Sequence, residues 1–313
     1  MGGRVFVVGS INVDMLMRLP FLPKPGETVL AGRFARTQGG KGANQAVATA
    51  RLARPTTLIG AVGKDSFGDD ALSELRTAGV DISSVMRVDD PTGVAVVVVG
   101  DDGENLIGVA PGANARLREG PVTLALSTRL VRDDVVVANL EVADEAVSAA
   151  ATVARARGAT FVLNPAPARA LAAELLARCD VVTPNAIEVG RLGFETPSDL
   201  LATGLRVLIV TRGAEGADLY RRGQPVLHQE AFPVSVVDTT GAGDAFTAAL
   251  SCALLDGEPF ETALRWAAGA GSLATRALGA RAGYADRDEL ARLLSDPNVG
   301  RQYPKVTEEV ELA

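Results

Sequence analysis

The sequence holds few of the side chains on which many enzymes depend. It has one histidine, His228, and two cysteines, Cys179 and Cys252, in 313 residues. A single imidazole argues against serine hydrolases, most zinc enzymes and haem proteins, which use histidine as a base or ligand. Two cysteines are too few for a four-thiolate metal site or a disulfide framework. Any catalysis must therefore come from carboxylates, lysine, hydroxyls, backbone amides or a weakly held hard cation.

Long apolar runs and an excess of basic charge are also missing. The longest apolar windows, such as residues 245–255, are well short of the roughly 18 residues that span a membrane. The N-terminal apolar stretch is too short for a signal peptide. Lysine and arginine number 31 against 38 aspartates and glutamates, a net charge of −7, which argues against nucleic acid or an anionic membrane as a partner. We therefore predict a cytoplasmic protein.

Short β-branched runs alternate with Ala- and Leu-rich stretches along most of the chain. The predicted strands are residues 5–8, 57–62, 135–140, 161–163, 181–183 and 207–211. The predicted helices are residues 44–52, 69–78, 144–157, 245–255 and 261–276. This alternation predicts an α/β fold in which helices flank a central, mainly parallel sheet.

Two segments break the alternation. Residues 13–37 contain several prolines between apolar stretches, and residues 93–110 have the pattern of two strands joined through Asp101, Asp102 and Gly103. Strands that no helix follows do not fit a βα repeat. The two segments could form a small separate sheet that acts as a lid, or they could simply extend an edge of the main sheet.

The strongest site signal is residues 238–244, Asp-Thr-Thr-Gly-Ala-Gly-Asp, directly before a predicted helix. Small residues at a helix start expose backbone N–H groups at the positive end of the helix dipole, which makes an anion site. The abundance of glycine, 33 residues in all, also favours sites made of backbone amides. Asp244 lies beside that anion site, either as a plain helix cap or as a base, and the helix N-terminus should keep its pKa low.

A second glycine-rich segment, residues 39–44 (Gly-Gly-Lys-Gly-Ala-Asn), also leads into a predicted helix. It is not a Walker A loop, because Ala35 replaces the first glycine and Gly42 replaces the serine or threonine after the lysine. The sequence also has no dinucleotide-binding fingerprint in the required place, between a strand and a helix. Residues 269–274 match the string itself, but they lie inside a predicted helix, where close helix packing explains the glycines better.

Two more motifs follow predicted strands. Asn185 and Glu188 are three residues apart and share a face if a helix begins there, so they could hold a hydrated Mg²⁺ near phosphates or could simply cap the helix. Residues 211–216 end a strand at the edge where α/β proteins bind ligands. His228 lies in a predicted hairpin that is remote in the sequence from every motif, and it is predicted to have no role.

Taken in order, these strings resemble the ribokinase-like (PfkB) carbohydrate kinase family. Each string is weak alone, but the ordered set is highly specific and covers nearly the whole chain. The strings are residues 9–14 (GSINVD), 25–28 (PGET), 39–44, 104–108 (ENLIG), 111–115 (PGANA), 164–168 (NPAPA) and 238–244. The resemblance implies the three-layer fold of that family, with residues 1–313 as a single kinase domain and a lid formed by about residues 13–37 and 93–110.

The resemblance also implies an activity and a site. The activity is that of a transferase that phosphorylates the 5-hydroxyl of D-ribose with ATP, with Asp244 as general base and the amides of Gly241, Ala242, Gly243 and Asp244 as anion hole. The sugar would contact Asn12, Asp14, Gly39, Gly40, Lys41, Gly42, Asn44, Glu141 and Asp244. ATP would contact Asn185, Thr211, Arg212, Gly213, Ala214, Glu215, Gly216 and Gly243. Glu188 would act on Mg²⁺ indirectly.

The family further implies a monovalent cation, usually K⁺, and a homodimer formed through the lid. The positions that match the cation site are Asp238, Thr240, Leu273, Arg276, Gly279 and Gly283. Here the chain departs from the family pattern, since the link at residues 277–278 is one residue longer and Gly283 replaces a frequent serine. K⁺ activation is therefore a hypothesis.

Three alternatives remain open. A nucleoside kinase such as an adenosine kinase phosphorylates an equivalent 5-hydroxyl, and another pentose or a hexose could replace ribose. A non-catalytic sensor of sugar or nucleotide is the alternative of a different class.

Overall fold

The computed structural model describes residues 3–296 and 305–307. The strands, in chain order, are β1 (Val5–Val8), β2 (Asn12–Leu19), β3 (Arg33–Gly39), β4 (Thr56–Gly63), β5 (Asp81–Val88), β6 (Gly93–Gly100), β7 (Asn105–Ala110), β8 (Val135–Asn139), β9 (Thr160–Asn164), β10 (Val181–Val182), β11 (Val207–Thr211), β12 (Ala217–Tyr220), β13 (Val226–Gln229) and β14 (Lys305–Thr307). The helices are α1 (Lys41–Arg51), α2 (Ser66–Thr77), α3 (Glu119–Arg129), α4 (Asp144–Arg157), α5 (Ala173–Leu176), α6 (Ala186–Val189), α7 (Pro197–Ala202), α8 (Ala242–Leu255), α9 (Phe260–Ala274) and α10 (Arg287–Ser295).

The larger of two sheets has the strand order β14-β13-β12-β11-β10-β9-β8-β1-β4-β5. The strands from β11 to β5 run parallel, and β12, β13 and β14 extend the sheet antiparallel. The predicted fold class is therefore confirmed. Because the parallel strands all end at one edge, the loops that follow them meet there, and this is where ligand sites form in such folds.

Helices cover both faces of this sheet and bury two separate apolar cores. The alternation of side chains along a strand explains the division, since Val5 and Val7 of β1 pack into one core and Phe6 and Val8 into the other. Helices α1, α2, α8 and α9 contribute to the first core, and α3, α4, α5 and α7 to the second. The result is the predicted three-layer arrangement.

The segments that break the βα alternation form a second sheet of their own, with strand order β3-β2-β6-β7. Only the pairing of β2 with β6 is parallel in this sheet. The segments therefore do not extend an edge of the main sheet. Several large apolar side chains of the small sheet are exposed, among them Phe34, Leu106, Ile107 and Val109.

All predicted strands and helices occur, but α1, α2 and α8 each begin three residues earlier than predicted. The first turns of α1 and α8 include glycine-rich residues that follow an N-cap glycine of positive φ, Gly40 at 85° and Gly241 at 80°. Gly269 lies inside α9, where a Cβ would come 3.0 Å from Leu290 of α10, so helix packing accounts for the glycine as predicted. Of the helices in residues 3–296, none has both the length and the apolar composition required to cross a membrane.

Candidate functional site

The two glycine-rich turns meet at the carboxyl edge of the main sheet. Helix α1 packs against α8, and the first turn of α1 faces the first turn of α8. Asn44 donates from Nδ2 to Oδ2 of Asp244 at 3.0 Å, and Gln45 donates from Nε2 to Oδ1 of Asp244 at 3.1 Å. The fold thus joins the predicted sugar loop to the predicted base.

Asp244 is nearly inaccessible, with 5% of its surface exposed. It does not cap α8, because the N-cap is Gly241 and no side chain bonds to that end of the helix. Burial raises the pKa of Asp244 above its ordinary value, and the nearby Lys41 charge and the Asn44 hydrogen bond offset only part of this rise. The expectation of a low pKa is therefore wrong, since removal from water outweighs the favourable charge around the carboxylate.

Three carboxylates and one ammonium group share this region. Burial and the charge of Glu141 raise the pKa of Asp14 to about 6, although the Arg281 charge acts in the opposite direction. Burial acts to lower the pKa of Lys41, but the charges of Asp244 and Glu141 outweigh it and raise the pKa. Lys41 is therefore held as a cation among acidic groups.

The predicted sugar-binding residues surround one point beside Asp244. Glu141 accepts at Oε2 from Lys41 N at 3.1 Å and from Asn12 Nδ2 at 3.4 Å. A Cβ on Gly40 would come 2.6 Å from Asn12 N, and one on Gly39 would overlap the Asp14 carboxylate. Only glycine lets the loop approach β2 this closely. Asn12, Asp14, the loop of residues 39–44 and Glu141 are thus brought together as predicted.

Some residues of this region were missed by sequence reasoning. Ser10 donates from Oγ to Glu141 at 2.5 Å, and Asn114 donates from Nδ2 to Oδ1 of Asn12 at 2.7 Å. Gln45 bridges Asp244 and Asn164 through its Nε2. Ser10 and Asn114 lie in strings that carry the family resemblance, and Gln45 directly follows one. A polar side chain within a glycine-rich or apolar stretch is the feature of the sequence that could have identified them as site residues.

A cavity of about 570 Å³ lies on the other side of the Gly241 turn. Of the predicted ATP-binding residues, five contribute to its wall: Thr211, Gly213, Ala214, Gly216 and Gly243. Phe246, Ala268 and Thr275 also line it and were not predicted. The cavity therefore reaches from the turn after β11 to the start of α8, next to the buried Asp244.

The other three predicted ATP-binding residues, Asn185, Arg212 and Glu215, do not line this cavity. Asn185 pairs with Thr211 through a single β-bridge and lies next to it. The Arg212 side chain turns away and donates from Nε to Asp218 at 2.5 Å, and the other oxygen of Asp218 lies 2.6 Å from Nδ1 of His228. His228 is therefore not remote from every motif, as the sequence had suggested, because the antiparallel pairing of β12 with β13 brings it to Asp218.

Asn185 and Glu188 form a reciprocal cap of α6. Asn185 Oδ1 accepts from Glu188 N at 2.8 Å, and Glu188 Oε2 accepts from Asn185 N at 2.8 Å. Of the two alternatives considered for these residues, a helix cap and a Mg²⁺ site, the structure shows the helix cap. The Glu188 carboxylate is only half buried, and its charge is one of those that raise the pKa of Lys41.

The predicted cation site centres on Asp238. One carboxylate oxygen accepts from Gly279 N at 2.8 Å, and the other accepts from Thr240 N at 2.9 Å and Oγ1 at 2.7 Å. Burial acts to raise the pKa of Asp238, but these hydrogen bonds outweigh it and lower the pKa. Asp238 has no ion-pair partner in residues 3–296, so its negative charge is not balanced by a basic side chain.

The remaining predicted cation positions differ in whether they have an oxygen atom available to bind a cation. The Leu273 carbonyl already accepts from both N and Nε of Arg276, each at 3.2 Å. A Cβ on Gly283 would overlap the Ala274 carbonyl, so a serine does not fit there in this chain. Asp238, Thr240 and Gly279 therefore lie together, while Leu273 is engaged elsewhere.

Two residues of the segment after α9 also face the site. Tyr284 is 5% exposed and its hydroxyl has no hydrogen-bond partner among the described residues. A Cβ built on Gly241 would lie 2.8 Å from that hydroxyl, so the hydroxyl is adjacent to the amide turn. Arg281 is 8% exposed and donates from Nε to Oδ1 of Asn44 at 2.8 Å.

Comparison with known proteins matches this geometry to one family. A family model described as pfkB family carbohydrate kinase matches residues 3–287. The ribokinase of Bacillus subtilis is 37% identical over 292 residues, which is 93% of this chain and 99% of that protein. The ribokinase of Arabidopsis thaliana, solved in complex with ribose and ATP, superimposes with a TM-score of 0.84 at 33% identity and covers 95% of this chain and 100% of its own.

A third relative was solved with a metal. An E. coli protein assigned as ribokinase II, in complex with ATP and Mg²⁺, has a TM-score of 0.77 at 26% identity, covering 93% of this chain and 99% of its own.

Proposed function

The chain belongs to the pfkB family of carbohydrate kinases, and from this premise we propose that it transfers the γ-phosphoryl group of ATP to the 5-hydroxyl of D-ribose, giving ribose 5-phosphate. One observation carries the proposal: the buried Asp244 carboxylate lies between the loop of residues 39–44 and the nucleotide-sized cavity. The Arabidopsis relative, whose structure holds ribose and ATP, supports the choice of both substrates.

Asp244 acts as the general base in this proposal. Asn44 and Gln45 each occupy one lone pair on a different oxygen of the carboxylate, so each oxygen keeps a lone pair that can accept the proton of the sugar hydroxyl. The raised pKa makes the carboxylate a stronger proton acceptor than an exposed aspartate. Such a base typically contributes about 10²- to 10⁴-fold to the rate.

The start of α8 supplies the anion hole. Ala242 N donates to the Thr239 carbonyl at 3.2 Å and is therefore engaged. The amides of Gly243 and Asp244 donate to no backbone acceptor in the described chain, so they are free to bind a phosphoryl oxygen. Fixed donors at a helix N-terminus stabilise charge on the transferring group without reorganisation, and this term is the largest in phosphoryl transfer.

The sugar is held by groups of both sheets. Asp14 and Glu141 accept from sugar hydroxyls, and Asn12 is fixed in orientation by Asn114. Lys41 remains charged beside Asp244 and Glu141 and attracts the negative phosphates of ATP. We propose that the small sheet, within residues 13–37 and 93–110, closes over this site as a lid of a single kinase domain.

Mg²⁺ is expected with ATP, and the residues present fit an indirect role. The described residues contain no cluster of three acidic, histidine or cysteine side chains that could hold a metal alone, which suits an ion held mainly by phosphates and water. Glu188, with one carboxylate oxygen not used in the α6 cap, is the proposed contact to that hydration shell. Mg²⁺ would neutralise charge on the phosphates during transfer.

A monovalent cation also fits, at the Asp238 carboxylate. This carboxylate is uncompensated by any basic side chain in residues 3–296 and lies beside Thr240 and Gly279. We propose that K⁺ binds there and that its charge adds to the positive potential with which the adjacent amide turn attracts the phosphoryl group. Because ATP is the phosphoryl donor, we also propose a cytoplasmic location.

Assembly as a homodimer is proposed through the small sheet. Its exposed apolar side chains include Phe34 on the edge strand β3 and Leu106, Ile107 and Val109 on the opposite edge strand β7. Exposed apolar surface is typical of sites where proteins associate. Light scattering at micromolar concentration should give twice the monomer mass, and replacing Ile107 by aspartate should return it to the monomer mass. A wild-type protein that is monomeric at this concentration contradicts the proposal.

The function is tested by measuring ADP release with Mg²⁺-ATP and a panel of acceptors. We expect ribose to give the highest kcat/KM among ribose, deoxyribose, fructose and adenosine. A preference for adenosine would instead identify a nucleoside kinase, and a preference for fructose or deoxyribose would identify another sugar as the substrate. Binding of ribose without ADP release under any condition would support a non-catalytic sensor.

A further inference from the structure

Arg281 connects three parts of the molecule that meet at the proposed active site. Its guanidinium donates from Nε to Oδ1 of Asn44 at 2.8 Å, from Nη2 to the Gly39 carbonyl at 2.9 Å, and from Nη1 to Oε1 of Glu74 at 2.8 Å. These acceptors lie in α1, at the end of β3 and in α2. One side chain from the segment after α9 thereby holds both ends of the sugar loop.

The bond to Asn44 determines how the amide of that residue is oriented. A guanidinium has donors only, so Asn44 must turn its oxygen toward Arg281. Its Nδ2 group then faces the opposite way, toward Oδ2 of Asp244 at 3.0 Å. Without Arg281, the amide could rotate and present its oxygen to the carboxylate, which would repel it.

We propose that Arg281 is a positioning residue for phosphoryl transfer, which fixes the Asn44 amide against Asp244 and holds the sugar loop through the Gly39 carbonyl. The inference deepens the proposed function and rests on Asp244 being the base. Arg281 does not touch the reacting atoms in this scheme and acts through Asn44 and Gly39.

The position of Arg281 is itself well defined. Arg51 of α1 donates from Nη1 to the carbonyl of Arg281 at 3.0 Å and to that of Tyr284 at 2.8 Å. The segment that carries Arg281 is therefore tied to the same helix as Asn44.

The charge of Arg281 has a second effect on the site. It acts to lower the pKa of Asp14, against burial and the charges of Glu141 and Asp244, which raise it. Arg281 thereby favours the ionised form of a carboxylate that accepts from the sugar. Loss of the charge should move the ionisation of Asp14 to higher pH.

Glu74 offers a matched control for a purely structural role. Its side chain is 49% exposed while that of Arg281 is 9% exposed, so their ion pair lies at the surface end of the arginine. Exposed ion pairs contribute little to stability. Glu74→Gln removes this pair and leaves the bonds of Arg281 to Asn44 and Gly39 in place.

The test compares Arg281→Gln, Arg281→Lys and Glu74→Gln by steady-state ADP release, with thermal unfolding as a check of folding. For Arg281→Gln we expect a fall in kcat of roughly 10- to 100-fold, as for a misplaced catalytic group, and a shift of the acid limb of kcat/KM to higher pH. Arg281→Lys, which keeps the charge but cannot make all three bonds, should retain the wild-type acid limb while kcat stays low. Glu74→Gln should change each parameter less than about twofold.

A double-mutant cycle with Asn44→Ala tests the route of the effect. If Arg281 acts through Asn44, then Arg281→Gln should lower kcat less than about threefold further in the Asn44→Ala background. Independent, multiplied effects would overturn the inference, as would wild-type kinetics in Arg281→Gln or an equal loss in Glu74→Gln. If Arg281→Gln does not fold, the same double-mutant cycle is measured with Arg281→Lys and Asn44→Ala. The same outcomes then support or overturn the inference.

Failure of this inference is distinguishable from failure of the proposed function. An active Arg281→Gln together with an inactive Asp244→Asn refutes only the positioning role. An active Asp244→Asn refutes the assignment of the base, whatever Arg281 does.

Discussion

Two glycines in one turn, Gly241 and Gly243, are predicted to respond in opposite ways to the same added methyl group. Gly241 has a φ of 80° and precedes α8, while Gly243 lies within the helix. A Cβ on Gly241 would lie 2.8 Å from the Tyr284 hydroxyl and 2.9 Å from Cα of Ala280, and closer still to the Ala280 carbonyl. A Cβ on Gly243 would meet no atom within 4 Å.

The magnitudes follow from these surroundings. A left-handed backbone costs an L-residue roughly 1–2 kcal/mol, and overpacking against backbone adds about 1–3 kcal/mol. Gly241→Ala should therefore reduce the free energy of unfolding by about 2–5 kcal/mol. Gly243→Ala should leave it unchanged or raise it by up to about 1 kcal/mol, because alanine is the better helix former.

Thermal unfolding followed by circular dichroism measures the difference. We expect Gly241→Ala to unfold roughly 3–8 °C below the wild type and Gly243→Ala to unfold at or above the wild-type temperature. Because the new methyl group of Gly243→Ala enters the wall of the nucleotide cavity, its KM for ATP should rise. A Gly241→Ala variant that unfolds at the wild-type temperature would refute the assignment of strain to this turn.

Three further predictions concern titration, an unpaired hydroxyl and the cation. Because Asp14 must be ionised to accept from the sugar and its pKa is about 6, kcat/KM for ribose should fall as the pH drops through 6, and a limb near pH 4 would contradict this role. Tyr284→Phe removes a buried hydroxyl with no partner among the described residues, so it should not lower the Tm, and a drop of several degrees would reveal a partner. Replacing Na⁺ or Tris by K⁺ should raise kcat in the wild type but not in Asp238→Asn, and an equal response of both proteins would exclude Asp238 as the ligand.

The fold was largely predictable because its elements have clear periodicity. The sequence did not indicate β5, whose alternating polar residues lie at the edge of the sheet, or α3, whose first turn contains Gly120 and Pro121. At both places the local signal is weak, and contacts with the rest of the sheet and the second core decide the structure.

The site was predictable where it is built from short contiguous strings and not where it depends on tertiary contacts. Residues 39–44 and 238–244 could be predicted from the sequence because a glycine turn before a helix is a local feature. Arg281 could not be predicted in this way, because its importance comes from the packing of a distant segment against Asn44. The raised pKa of Asp244 was also hidden, because it results from burial between two helices.

The central claim is that the Asp244 carboxylate removes the proton from the sugar hydroxyl. The most direct measurement is kcat for ADP release by Asp244→Asn with saturating ribose and ATP, together with the Kd of ribose by calorimetry. The account predicts that kcat falls by about 10²- to 10⁴-fold while the Kd changes only a few-fold, because the amide keeps the shape of the carboxylate but cannot accept the proton. Turnover close to that of the wild type would contradict it.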